Sequence, residues 1–196
     1  MATAIAIETE TVKTGIDYTS KIQPLVSASK RGRGSDKPIY PNCVTVDKMT
    51  GNLYIADYLN DFVKVFDSTA RIGKQGKGEL EFNYPYGIAV NESNDDIYIC
   101  DYFNNRVQIL SKDFQFKSLF GSFTHPGDVK LSNEYIYVLD ESNPCIHIFN
   151  HNFILQKNVI SRGQGNPYSF FIDNFNNILI ADNSSNSICI FNPEFQ

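Results

Sequence analysis

Most of the chain alternates between apolar and polar positions in short runs. Segments of four to six residues rich in Val, Ile, Tyr and Phe are separated by clusters of Asn, Asp, Gly and Ser. Alternation with period two, bounded by turn residues, marks antiparallel strands, whereas paired helices would show a period of about 3.6. Within one stretch it predicts strands over Gly87 to Val90, Ile97 to Asp101 and Arg106 to Leu110, with a weaker fourth run at Phe116 to Phe120 that returns at Ile154 to Ile160.

The pattern itself repeats. Pro41, Pro85, Pro126 and Pro167 open four similar segments spaced by 44, 41 and 41 residues, and Asp57, Asp101, Asp140 and Asp182 recur at a matching place in each. Four strands in about 40–45 residues is the length of a β-propeller blade. The fold class predicted is all-β: a propeller of about four four-stranded blades starting near residues 41, 85, 126 and 167. The propeller domain is expected over residues 21–196, after an N-terminal tail at 1–20. DSTARIGKQGKG, after Phe66, leaves little room for a fourth strand in the first blade. The last segment stops at FNPEFQ, where its fourth strand should begin, while KIQPLVSASKRGR near the start has no strands before it. Spliced, they read as one blade, so the N-terminal strand is expected to pair with the last blade and close the ring. Both a small closed ring and part of a larger propeller fit this length.

The segment PYGIAVNESNDDIYICDYFNNRVQIL, followed by FKSLFG, resembles the NHL repeat, with its P-x-G-I-A-V-D, I-Y-V-A-D and R-I-Q-V-F strands and a Gly-ended fourth strand. The resemblance extends over about residues 21–196. It implies a propeller serving as a docking platform for proteins or RNA, often the C-terminal part of tripartite-motif ubiquitin ligases. The repeat's arginine survives only as Arg106; Phe62, Cys145 and Ser187 stand in its other places. Neither a RING nor a B-box is legible, since Cys43, Cys100, Cys145 and Cys189 are scattered and read as free thiols.

Composition narrows the function classes. With 17 basic against 22 acidic residues the net charge is -5, which excludes a strongly basic nucleic-acid binder. Apolar runs of about 18 residues are missing, and Glu8 and Glu10 interrupt the start, so neither a membrane span nor a secretory leader is predicted and the setting expected is cytoplasmic. His125, His147 and His151 fall on a loop, a strand and an opposite turn; no metal, cofactor or small-molecule substrate is predicted, and the chain is expected not to be an enzyme. GKQGKG at Gly73 to Gly78 lacks the ending of a phosphate loop and reads as a flexible blade connection.

The loops that join strand 4 to the next strand 1, and strand 2 to strand 3, share one face of a propeller. The first set holds eight basic residues, including Lys30, Arg31, Arg33, Lys74, Lys77 and Arg162, against three acidic ones. The second set supplies Tyr58, Tyr102, Phe103 and Arg106, with Tyr86 and Tyr168 beside the prolines. This basic and aromatic top face is the candidate binding surface, for a protein partner first and for single-stranded RNA as the alternative, a third reading being an inactive fragment or scaffold of a larger NHL protein. Asp57, Asp101, Asp140 and Asp182 are expected to cap the adjoining turns by accepting backbone N–H bonds. The opposite face, with Glu92, Asp95 and Asp96 in one turn and Asp67, Asp113, Glu134, Asp173 and Glu194 elsewhere, is expected to be acidic.

Overall fold

The computed structural model of the chain describes residues 40–66, 70–160, 167–182 and 186–192. Their architecture is a four-bladed array of antiparallel sheets. Blade 1 comprises β1 (Pro41–Val46), β2 (Leu53–Asp57), β3 (Phe62–Val65) and the two-residue β4 (Arg71–Ile72). A small parallel pair, β5 (Lys74–Gln75) and β6 (Glu81–Phe82), leads to blade 2: β7 (Pro85–Val90), β8 (Ile97–Asp101), β9 (Arg106–Leu110) and β10 (Phe116–Phe120). Blade 3 is β11 (Pro126–Leu131), β12 (Tyr135–Asp140), β13 (Cys145–Asn150) and β14 (Leu155–Ile160); blade 4 is β15 (Pro167–Ile172), β16 (Ile178–Asp182) and β17 (Ser187–Phe191). Each sheet runs in sequence order from its first strand outward, as the alternation predicts, and the first blade's fourth strand is short. The closing strand expected near residues 21–33 lies outside the described residues.

Apolar faces meet between blades rather than within them. Val63, Val65 and Tyr54 of blade 1 pack with Ile88, Ile97 and Ile99 of blade 2; Val107 and Ile109 pack with Val129, Ile136 and Val138; Ile146 and Ile148 pack with Phe170, Ile178 and Ile180. The first strands also approach one another closely. A Cβ on Gly87 would lie 2.7 Å from the Asp128 backbone, so blades 2 and 3 reach this spacing only because position 87 has no side chain.

The two recurring residues are cross-strand partners. Pro41, Pro85, Pro126 and Pro167 stand opposite Asp57, Asp101, Asp140 and Asp182, and in every blade the register shifts by a bulge just after the proline. A proline lacks a ladder N–H, and the start of a strand beside a bulge is where that lack is tolerated. The described aspartates are buried, and their carboxylates reach across to the incoming loop. Asp57 accepts the N–H of Tyr40 at 3.2 Å, Asp101 that of Asn83 at 2.7 Å, and Asp140 those of Thr124 and His125 at 2.6 and 2.9 Å. Each also holds the outgoing loop, through the Asn60 and Asn104 side chains at 2.7 and 2.9 Å and the Asn143 N–H at 3.3 Å. The side chain of Asp182 lies outside the described residues. Asp101 additionally takes the Arg106 Nε at 2.8 Å while it is itself fully buried.

Replacing one member of a buried charged pair strands the other. Asp101→Ala is expected to lower unfolding free energy by about 3–5 kcal/mol, and Asp101→Asn by about 1–3 kcal/mol. Urea titration of the three proteins checks the order.

Candidate functional site

The same short motif brings rings together on the loop face. The residue after each aspartate donates its N–H to the carbonyl of the residue before each proline: Tyr58 to Tyr40 at 3.1 Å, Tyr102 to Tyr84 at 3.3 Å and Glu141 to His125 at 3.0 Å. In each of the first three blades, side chains from the two loops therefore emerge side by side. Across blades they interlock. Tyr58 meets Tyr84 and Tyr86 edge-on at centroid distances of 4.5 and 5.4 Å; Tyr86 stacks on Tyr102 at 5.0 Å, and Tyr102 stacks on His125 at 4.7 Å. Phe103 stands edge-on to Tyr84, Tyr102 and His125. The result is a continuous aromatic platform spanning blades 1 to 3. Most of its rings are half-buried against each other, while Phe103, Leu59 and Tyr40 present 44, 43 and 46% of their surface to solvent.

An acid sits under this platform. Tyr102 donates its hydroxyl to Glu141 Oε2 at 3.1 Å, and the carboxyl fits because a side chain at Gly127 would collide with it. Burial lifts the Glu141 carboxyl above the usual carboxylate range, only partly offset by the Tyr102 hydroxyl and the His125 ring; burial and the nearby carboxylate likewise push the Tyr102 phenol up. His125 Nδ1 lies 2.5 Å from Ser142 Oγ, so the edge of the platform carries a hydrogen-bonded imidazole and hydroxyl.

The residues expected to bind do not all face a partner. Tyr58, Tyr86, Tyr102 and Phe103 form the platform, but Arg106 is committed within the protein. It is 13% exposed and reaches Asp101, the Gly78 carbonyl at 2.7 Å and the Glu81 carbonyl at 3.1 Å. Lys74 is exposed and pairs with Glu81 at 3.2 Å, and Lys77 is exposed in the same loop. Lys30, Arg31, Arg33 and Arg162, and the side chain of Tyr168, lie outside the described residues.

Two expectations are corrected. The Gly73 to Gly78 connection is a tied loop, not a flexible one. Glu81 Oε2 accepts the Lys77 and Gly78 N–H groups, Asn104 holds the Gly76 carbonyl at 2.7 Å, and Gln108 holds Glu81 through its carbonyl and Leu80 through its N–H. Glycines permit this because Cβ atoms on Gly73 and Gly76 would overlap the Phe82 ring and the Glu81 carboxyl. The face opposite the platform, expected to be acidic, has part of that charge offset or engaged. Asp96 is buried and held by Lys117 at 2.6 Å, Glu92 pairs with Lys48, and Asp173 binds the N–H groups of Phe175 and Asn177 in its own turn. The count of acids omitted the lysines beside them and the turns the acids close.

Sequence reading missed Tyr84, His125, Glu141, Asp61 and Glu81. A signal was present for three of them: Glu141 shares the column of Tyr58 and Tyr102 after the aspartate, and Tyr84 and His125 share the column of Tyr40 before the proline. Asp61 Oδ1 accepts the Tyr84 N–H at 2.8 Å, across the blade boundary, and Tyr84 itself has a left-handed backbone with φ of 62°.

The NHL repeat family model matches residues 82–110, which span β6 to β9. No curated protein matches the chain in sequence. Among solved structures, a catalytically inactive virginiamycin B lyase from Staphylococcus aureus with quinupristin is similar with a TM-score of 0.67 and 13% identity, covering 84% of this chain and 55% of that one. A gluconolactonase from Xanthomonas campestris gives 0.64 and 18%, covering 80% and 60%; a streptogramin B lyase gives 0.59 and 16%, covering 79% and 52%. The chain thus spans little more than half the length of these structures. At such identities the likeness establishes the fold alone, yet it overturns the exclusion of catalysis drawn from missing motifs. Enzymes are built on this propeller, and a fold does not dictate what its loops do.

The raised Glu141 carboxyl sets a pH dependence. A folded carboxyl that holds its proton more tightly than the unfolded one contributes stability below its unfolded value of 4.5, and that contribution is lost as pH rises through the higher folded value. Glu141→Gln is expected to melt at a higher temperature than the parent at neutral pH and at the same temperature near roughly pH 4, in thermal scans across this range.

Proposed function

We propose that the chain is an NHL-repeat docking module that receives a protein partner on the aromatic platform of blades 1 to 3. The observation that carries this reading is the run of Tyr58, Tyr84, Tyr86, Tyr102, Phe103 and His125 across three blades, with Phe103, Leu59 and Tyr40 exposed on it. Aromatic anchors set in a rigid frame are the composition of protein-binding hot spots. The frame is rigid because the loop backbones end on buried carboxylates, so little ordering cost falls on binding. Recruiting a substrate for a ubiquitin-ligase-type assembly is a task such a face could serve. The RNA alternative draws less support: of the described basic residues of this face Lys77 is exposed, but Lys74 is paired with Glu81, Arg106 is enclosed and Arg71 lies over the Phe62 ring at 4.9 Å.

A photoreactive phenylalanine analogue placed at position 103 should give nuclease-resistant protein adducts in cells, and the same analogue at Phe175 on the opposite face should not. With the partner in hand, Phe103→Ala is expected to weaken binding about 30-fold, as a hot-spot truncation does, while the melting temperature holds. Adducts that vanish with nuclease, or that form equally from position 175, would overturn the reading.

A further inference from the structure

We infer that blade 4 is a docking face for blade 1 of a second copy of this chain. The inference is independent of the platform and rests on a rule that the blades keep. Six and eight residues beyond the recurring aspartate, the third strand of each blade offers an aliphatic pair to the next blade. Val63 and Val65, Val107 and Ile109, and Ile146 and Ile148 are all buried there, at 4% exposure or less. The pair in blade 4 is Ile188 and Ile190, and these are 71% and 64% exposed. Phe171, on the first strand of the same blade, is 62% exposed.

The receiving side obeys the matching rule. Three residues beyond the proline, Ile88, Val129 and Phe170 bury themselves against the preceding blade, at 3% exposure or less. Their counterpart in blade 1 is Val44, which is 59% exposed, with Val46 beyond it at 51%. Among the described residues, one chain therefore carries both halves of a blade interface, and blade 4 does not pack on blade 1 of its own chain.

An exposed apolar sheet face invites association. Here the outer residues have the apolar character of the interior ones. The surface is continuous in kind with three interfaces already formed, and what it lacks is what another copy displays. Because the two halves differ, the contact is heterologous, and two copies close it by making it twice.

Light scattering after size exclusion tests this on the full 196-residue chain. The expected mass is twice 22.2 kDa. Ile190→Glu and Val44→Glu should each give monomers with unchanged circular dichroism, and mixing the two should restore a dimer, since one chain keeps its blade 4 face and the other its blade 1 face. A Val44→Glu chain that remains dimeric would mean like-to-like pairing and overturn the inference. So would a parent chain that stays monomeric at all concentrations. Hydrogen exchange would then distinguish its causes: protection of residues 187–191 that disappears on deleting residues 1–39 assigns the face to the chain's own N-terminal segment.

Discussion

The loop face depends on a carboxylate buried where a strand ends. At the close of each second strand, an aspartate is placed opposite a proline and left with more hydrogen-bonding capacity than its own strand can use. In blades 1 to 3 it spends that capacity on both neighbouring loops, taking N–H groups from the chain entering the blade and from side chains or backbone leaving its second strand. Burying a carboxyl group without hydrogen-bond partners is costly, so the geometry of the loops and the buried aspartate are conditions of each other. In blade 2 the arrangement is extended by Arg106 and Gln108, which reach past Asp101 to fasten the long glycine-containing connection.

Two layers of contact follow. The apolar layer lies between blades and is indifferent to which loops are present, since it is built from alternate residues of the sheets. The polar layer lies at one rim and determines where the loop side chains emerge. The aromatic platform is where the layers meet: Tyr58, Tyr86 and Tyr102 project from polar anchoring onto neighbouring blades, so contacts among rings tie together units that the aspartates organise one at a time. Glu141 interrupts the series with a carboxyl at a position held in blades 1 and 2 by tyrosine, which gives the third blade a different chemistry on the same backbone.

The strands were legible because strand identity is a local property. Ile97 to Asp101 and Arg106 to Leu110 are runs rich in Ile and Val set between Asp, Asn and Ser residues, and their limits in the structure are those expected. What could not be read was how a side chain's partners divide between a ligand and the protein. Arg106 on a loop-face strand has the same appearance in sequence whether it reaches outward or inward; Gly78 and Glu81, 28 and 25 residues earlier, decide the matter. GKQGKG reads as flexible because glycine is permissive, yet the same absence of side chains lets Glu81 and Phe82 pack against it. Catalysis was wrongly excluded for a related reason, since motif spacing reports on continuous segments and a propeller assembles its surfaces from separated ones.

The bulge after each proline has a consequence for how such a surface can change. In an uninterrupted strand, the direction of every side chain is dictated by the core alternation, and a residue cannot be re-aimed without turning its neighbours inside out. The extra residue at Tyr86, Gly127 and their counterparts breaks that coupling just above the core. That position carries an asparagine at 42, a tyrosine at 86 and a glycine at 127 while Ile88 and Val129 keep their places below. Each blade thus sets its loop-face side chains and its core in separate registers, and one can be rewritten without erasing the other.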